Sequence, residues 1–323
     1  MAELYDLVII GGGPAGLAAG VYAGRAGLKT VIVEKGLYGG QMQNTGEVEN
    51  YPGIRQTTGP ELSEVMGAHP EDFGVEKKFG EVRAVQLEGP VKTIDLGQEQ
   101  LEARAVIIAT GAVPKKLGVT GEEEYSGRGV SYCAICDGAF FNEKRPGMDK
   151  GIVVVGGGDS AVEEGVFLTR FNKVTLVHRR DKLRAQPILQ KRAFENERMS
   201  FVWNSVVEEI LGDGKLVAGV RIRNRETGET SVLPANAVFI YIGNQPNTGF
   251  LPKDAPFLTE DGYIRTDEQM RTVLPGVFAA GDVREKTLRQ IITAAADGAI
   301  AAMEAYHYIE SLSDQMQEAP AQA

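Results

Sequence analysis

An α/β fold of two three-layer domains is predicted by one pattern that occurs twice. A run of branched aliphatic residues, a glycine-rich turn, a helix and a second strand fill residues 4–34 and again 151–179. Between the copies lies Ser131-Tyr132-Cys133-Ala134-Ile135-Cys136-Asp137-Gly138, which holds both cysteines of the chain. Two thiols separated by two residues can close a small disulfide ring, in which one sulfur attacks a partner's disulfide and the other resolves the mixed intermediate. Asp137 follows directly and can hold or deliver the proton that a leaving thiolate needs. Structural zinc would need four ligands, and His69, His178 and His307 lie scattered without metal-site spacing, so no metal is expected. An inert disulfide would imply an oxidising compartment and a small loop-rich fold, which this composition does not suggest.

The 323 residues are enough for two domains, and 43% apolar with 24% charged residues is ordinary for a soluble globular protein. A net charge of -10 argues against nucleic acid, whose phosphates most of the surface would repel. Leu7 to Gly24 carries no charge, but six glycines and Pro14 interrupt it, so it does not read as a membrane span. The acidic start, Met1-Ala2-Glu3-Leu4-Tyr5-Asp6, lacks the basic character of a secretory signal, and a cytoplasmic location is expected.

In order along the chain, Leu4 to Ile10 is a strand buried on both faces. Gly11 permits a tight turn, Gly13 lets backbone approach a pyrophosphate, and Gly16 allows close packing of the helix read from Ala15 to Leu28. The next strand, Thr30 to Val33, ends at Glu34, 23 residues beyond Gly11, where a carboxylate can accept from ribose hydroxyls. With strand, helix and acid all in place, this is a complete Rossmann-like dinucleotide fingerprint. Gly39-Gly40-Gln41 offers a second close backbone approach, and Glu47 to Gly53, with Asn50 in it, reads as a polar turn. Gly59 to Phe73 has helical spacing that Pro70 should kink or restart. Val82 to Leu96 alternates as strands, and Ala105 to Ala109 is a buried strand closing on Thr110-Gly111-Ala112 before a crossing at Pro114.

In the second copy, Gly151 to Val155 is the strand, and Gly156, Gly158 and Ala161 repeat the glycine spacing, so the chain is expected to hold two dinucleotides. At the end of the strand Lys173 to Val177 the copies differ. Counting 23 from Gly156 gives Arg179 where the first copy has Glu34. His178, Arg179, Arg180 and Arg184 form a basic cluster suited to the 2′-phosphate of NADP. Ser200 to Ile210, Leu216 to Asn224 and Thr230 to Leu233 read as a three-stranded insert, and Ala237 to Ile242 as a buried strand before a turn and recrossing at Gly243 to Asn247. Gly276 to Ala280 is a last strand, ending in Gly281-Asp282, whose carboxylate could bind a flavin ribityl hydroxyl. Arg289-Gln290-Ile291 opens a helix through about Tyr308, and a disordered tail is expected over 315–323.

These motifs, in this order, resemble the low-molecular-weight bacterial thioredoxin reductases over nearly the full length. The resemblance rests on Gly11 to Gly16, Gly40-Gln41, Glu47 to Gly53, Cys133 to Gly138, Gly156 to Ser160, His178-Arg179-Arg180, Gly281-Asp282 and Arg289-Gln290. It implies a homodimer with FAD in the first unit and NADPH in the second. It also implies a split FAD domain, 1–113 and 244–314, with an NADPH domain inserted at 114–243. Applied to this chain, it places FAD against Gly11, Gly13, Pro14, Ala15, Gly16, Glu34, Gly40, Gln41, Asn50, Val82, Thr110, Gly111, Gly281, Asp282, Arg289, Gln290 and Ile291. NADPH falls to Gly156, Gly158, Asp159, Ser160, Glu163, His178, Arg179, Arg180, Arg184, Ile242 and Gly243. Cys136 would accept electrons from the flavin, Cys133 would attack the disulfide of thioredoxin or a similar redoxin, and Asp137 would donate the proton. Ile135 stands where the family often has Thr or Val, and His69-Pro70 interrupts a helix that is usually continuous.

Other functions share parts of this pattern. A flavin-dependent dithiol oxidase passing electrons to oxygen needs no NADPH, and the basic cluster argues against it. A peroxide-reductase subunit would carry an additional amino-terminal redox module, and a related ferredoxin reductase would lack the cysteine pair. A non-catalytic sensor would bind nucleotide and signal through the disulfide. NADPH bleaching followed by reoxidation with thioredoxin fits only the reductase.

Overall fold

The computed structural model describes residues 4–45, 48 and 50–318, with backbone alone for 313–318. Glu47 and Glu49 of the polar turn, and 319–323 of the tail, lie outside the described residues. The chain divides into two compact units, one built from the residues up to Val113 together with those from Gln245 onward, the other from Pro114–Asn244.

In the first unit, Leu4–Ile10 pairs in parallel with Thr30–Glu34 on one side and Gln100–Ile108 on the other. Its residues alternate between layers. Leu7 and Ile9 pack with Leu17 and Ala19 of the helix Pro14–Arg25 and with Ala301, Ala302 and Ala305 of the helix Ile291–Glu318. Val8 and Ile10 face the opposite cluster, with Leu251, Phe257 and Ile264. This two-sided burial is why the strand carries no polar face. Gln100–Ile108 begins five residues before the strand read from the sequence, and its two halves have different partners. Its start pairs antiparallel with Lys92–Asp95, and its end pairs in parallel with Val277–Ala279. The edge strand Glu76–Phe79 had no apolar signal, because its sequence, Glu-Lys-Lys-Phe, faces largely outward. Pro70 acts as expected: the helix Gly59–Ala68, closed at its start by a reciprocal Thr58–Glu61 capping box, gives way to a 3-10 turn over His69–Phe73. The last helix continues to Glu318, ten residues past its expected end, so the first four residues of the expected disordered tail are helical.

In the second unit, Met199–Val202, Val174–Val177, Ile152–Gly156, Ala237–Tyr241 and Val130–Ser131 form a parallel sheet in that spatial order. Ile152, Val154 and Leu176 face Ala161, Val162 and Leu168 of the helix Asp159–Leu168, while Val153, Val155 and Val177 face Val207, Ile210, Val220 and Ile222 of an antiparallel sheet. The strand expected at Ser200–Ile210 is two strands in two sheets. Asn204 at φ 52 breaks it, sending Met199–Val202 to the parallel sheet and Ser205–Gly212 to the antiparallel one. The helix Pro187–Phe194 was also not anticipated; Pro187 sits in its first turn, where the missing amide is no loss. Among the described residues no helix is long and apolar enough to cross a membrane.

Candidate functional site

The redox motif sits on a minimal scaffold. Val130–Ser131 enters the parallel sheet, Cys133 caps the four-residue helix Ala134–Asp137, and Cys133 and Cys136 are joined as a disulfide. The Cys136 amide donates to Cys133 Sγ at 3.2 Å. An amide aimed at a sulfur favours its thiolate once the bond opens. Ser131 Oγ accepts from the Cys133 amide at 3.1 Å and donates to Asp137 Oδ2 at 2.6 Å. Burial raises the Asp137 pKa above the ordinary carboxylate range, although the Ser131 hydrogen bond works against it. The direction of that shift is the one a proton donor requires.

In the first unit, the predicted FAD residues gather at the carboxyl ends of the parallel strands. Gly11, at φ +109, follows Ile10, and a Cβ on Gly16 would lie 1.8 Å from the Gly11 carbonyl oxygen, so no larger residue fits there without backbone movement. The helix Pro14–Arg25 begins with no side-chain cap, which leaves its first amides for a phosphate. The Glu34 carboxylate accepts from the Gly12 and Gly36 amides at 2.7 and 2.8 Å and keeps lone pairs for a ribose. Gly40 lies against Gly13, and the Gly80 amide donates to the Glu34 carbonyl, bringing the Val82 loop to the same edge. Asn50 Nδ2 donates to Gln290 Oε1 at 3.0 Å across 240 residues of sequence, joining two residues that were assigned to FAD separately. Thr110 and Asn247 exchange hydrogen bonds at 2.8 Å. The Gly281 amide is held by Asp297, which Arg284 and Lys286 neutralise. Asp282 Oδ1 is buried with no partner, and burial raises that carboxyl, with Lys286 and Arg289 opposing. An orphaned buried acceptor beside a glycine edge fits a ligand hydroxyl, so these residues fit FAD.

In the second unit, Gly156 pairs with Tyr241, and Gly158 caps the helix Asp159–Leu168 without a side-chain bond, beside exposed Ser160 and Glu163. Ile242 and Gly243 follow the neighbouring strand end. The exposed Asp159 carboxylate accepts from the Gln186 amide and side chain. Arg179, Arg180 and Arg184 are exposed, and among the described residues none has a carboxylate partner in an ion pair. His178 is buried rather than displayed with them; its ring lies under Gly157, its Nε2 is unpartnered, and burial lowers its pKa, with Arg184 and Arg179 reinforcing the effect. Exposed arginines without a carboxylate partner among the described residues fit a phosphorylated nucleotide. Among the described residues, no cluster of three His, Cys, Asp or Glu could hold a metal.

The sequence reading missed Ser131, Tyr241, Glu164, Asn247 and Arg225. Ser131 lay in the motif without an assigned role. Glu164, on the helix after the second glycine turn, is raised to about 7 by burial and by Glu163. Arg225 Nη1 donates to the Arg179 carbonyl at 3.1 Å from the turn after the strand Val217–Asn224, a contact no local spacing announces.

The family described as pyridine nucleotide-disulphide oxidoreductase matches residues 5–298. Thioredoxin reductases of Listeria monocytogenes and Bacillus subtilis are 53% and 52% identical to the chain, over 98% and 97% of it and 97% of each relative. Among solved structures, a thioredoxin reductase from Streptococcus pyogenes is 51% identical with a TM-score of 0.89, over 96% of this chain and 100% of that one. One from Lactococcus lactis is 50% identical with a TM-score of 0.66, over 95% and 99%.

Proposed function

We propose a division of labour in this site from the premise that the chain belongs to the pyridine nucleotide-disulphide oxidoreductase family, among its low-molecular-weight thioredoxin reductases. It is an NADPH-dependent flavoprotein disulfide reductase that reduces thioredoxin. Bound FAD supplies a carrier that takes two electrons from NADPH and releases them to a disulfide. The observation that carries the reading is the closed Cys133–Cys136 pair followed directly by the Asp137 carboxyl, which Ser131 Oγ holds, in a chain with two glycine fingerprints.

On this reading Cys136 receives the electron pair, the S–S bond breaks and Asp137 protonates one sulfur, so two electrons and one proton give one thiol and one thiolate; the Cys136 amide favours the thiolate at Cys133, and solvent supplies the protons of the thioredoxin sulfurs as they leave. The Cys133 thiolate then attacks the thioredoxin disulfide and releases one thioredoxin thiol. Cys136 next attacks Cys133 Sγ, releases the second thiol and restores the starting disulfide. Gly11 to Gly16, Glu34 and Asp282 hold FAD; Gly156, Gly158 and the arginines hold NADPH. A homodimer in the cytoplasm is part of the same proposal. The test is spectroscopic: a yellow holoenzyme should bleach with NADPH without oxygen and regain its colour on adding oxidised thioredoxin. Reoxidation by oxygen alone, with no response to thioredoxin, would refute it.

Nucleotide choice gives a second measurement. Arg179→Ala should weaken NADPH by roughly 1.5 to 3 kcal/mol, the worth of one charged hydrogen bond, and leave NADH nearly unchanged. Equal weakening of both, read as dissociation constants, would remove the basic cluster as the discriminator.

A further inference from the structure

Tyr241 belongs to neither glycine fingerprint nor the cysteine motif, yet it touches both. It ends the strand Ala237–Tyr241, where its main chain is in register with Gly156 of the nucleotide turn. Its phenolic oxygen accepts a 2.6 Å hydrogen bond from the amide of Ala134. That amide lies between the two cysteines and opens the short helix that carries Cys136. Ala134 is 1% exposed, so without the phenol this amide would be a buried donor with water largely excluded. The ring packs with the cluster containing Phe141, Ala161 and Phe239. Packing alone would not direct the hydroxyl to main chain inside the redox loop. Burial, with Glu164 and Asp137 nearby, keeps the phenol un-ionised.

We propose that Tyr241 is a positioning residue for the redox pair: by pinning the Ala134 amide it fixes the turn between Cys133 and Cys136 in the geometry that disulfide exchange requires. The directions of the two sulfurs are set by a main chain of four residues, and the Tyr241 bond fixes the amide at its first free turn. The same residue anchors that loop to the strand end bearing the nucleotide turn. This inference rests on the reading of Cys133 and Cys136 as the electron-passing pair.

The test uses the holoenzyme and two electron acceptors. Oxidised thioredoxin must be served through the cysteines, whereas ferricyanide can take electrons from reduced flavin directly. Tyr241→Phe keeps the ring and removes only the acceptor oxygen. Thioredoxin turnover should fall about tenfold, as expected for one buried amide left unpaired, while NADPH–ferricyanide turnover and the KM for NADPH stay within about twofold. Equal loss of both activities would make Tyr241 a residue of general stability and overturn the proposal, as would undiminished thioredoxin turnover. Cys133→Ser, measured alongside, separates the two levels of inference. If that variant still reduced thioredoxin, the reading of the pair would fall; if it failed to do so and Tyr241→Phe behaved as wild type, only the role of Tyr241 would fall.

Discussion

Cys133→Ser and Cys136→Ser should each reduce thioredoxin turnover to background, yet they should differ in colour. With Cys133 gone, the Cys136 thiolate is left to donate into oxidised flavin and should produce a long-wavelength charge-transfer band. With Cys136 gone, no such band should form. The assignment follows from the proposed order of attack and agrees with the local hydrogen bonding. Cys133 is the cap residue whose sulfur receives the Cys136 amide, an arrangement that favours a thiolate at the attacking position. Asp137 adds a pH dependence of stated sign. Burial favours its protonated form, so proton delivery is available below its raised pKa and is lost as pH rises through it. Asp137→Asn should remove that limb, slowing turnover at low pH and approaching the wild-type rate as pH rises through the Asp137 pKa. Absorbance spectra of the two serine variants decide the assignment: equal bands in both, or bands in neither, would refute it.

Much of the fold was legible because its signals are local. A strand buried on both faces cannot hide its apolar run, and the turns after Ile10 and Val155 need glycine for backbone reasons that sequence alone exposes. The cysteine pair was legible because only two residues, Ala134 and Ile135, separate its members. What escaped depends on long-range pairing. Glu76–Phe79 is a strand because it docks on Thr30–Glu34, not because its residues favour that state. Ser200–Ile210 reads as continuous β sequence, and only the demands of two different sheets put Asn204 at positive φ in its middle. The site shows the same division. Gly11, Glu34 and Asp137 announced themselves by spacing, whereas Tyr241 reaches Ala134 across 107 residues and Arg225 reaches Arg179 across 46.

A cross-link that holds Cys136 against the flavin should stop NADPH from reducing that flavin while leaving nucleotide binding intact. The expectation follows from which residues share a unit. Cys133, Cys136, Gly156 and Arg179 all lie within Pro114–Asn244, whereas Gly11, Glu34, Thr110 and Asp282 lie in the other unit. On the proposed assignment the disulfide and the nicotinamide both exchange electrons with a flavin bound by that other unit. If they use one face of it, they must take turns, and the inserted unit must swing between two positions. Only two crossings join the units. Their short strands, Ala112–Pro114 and Asn244–Pro246, pair with each other, and Gly243 beside them is at φ +109, so a few residues can absorb the rotation. The swing would also solve substrate access, because turning the pair away from flavin presents Cys133 to a protein disulfide. Cross-linked positions can be chosen in a Cys133→Ser background by retention of the charge-transfer band, which reports the pose. NADPH should then bind with nearly unchanged affinity and fail to bleach the flavin, and cleaving the cross-link should restore bleaching. Full-rate flavin reduction in the cross-linked form, with the band intact before NADPH is added, would show that both partners reach the flavin at once and that no swing is needed.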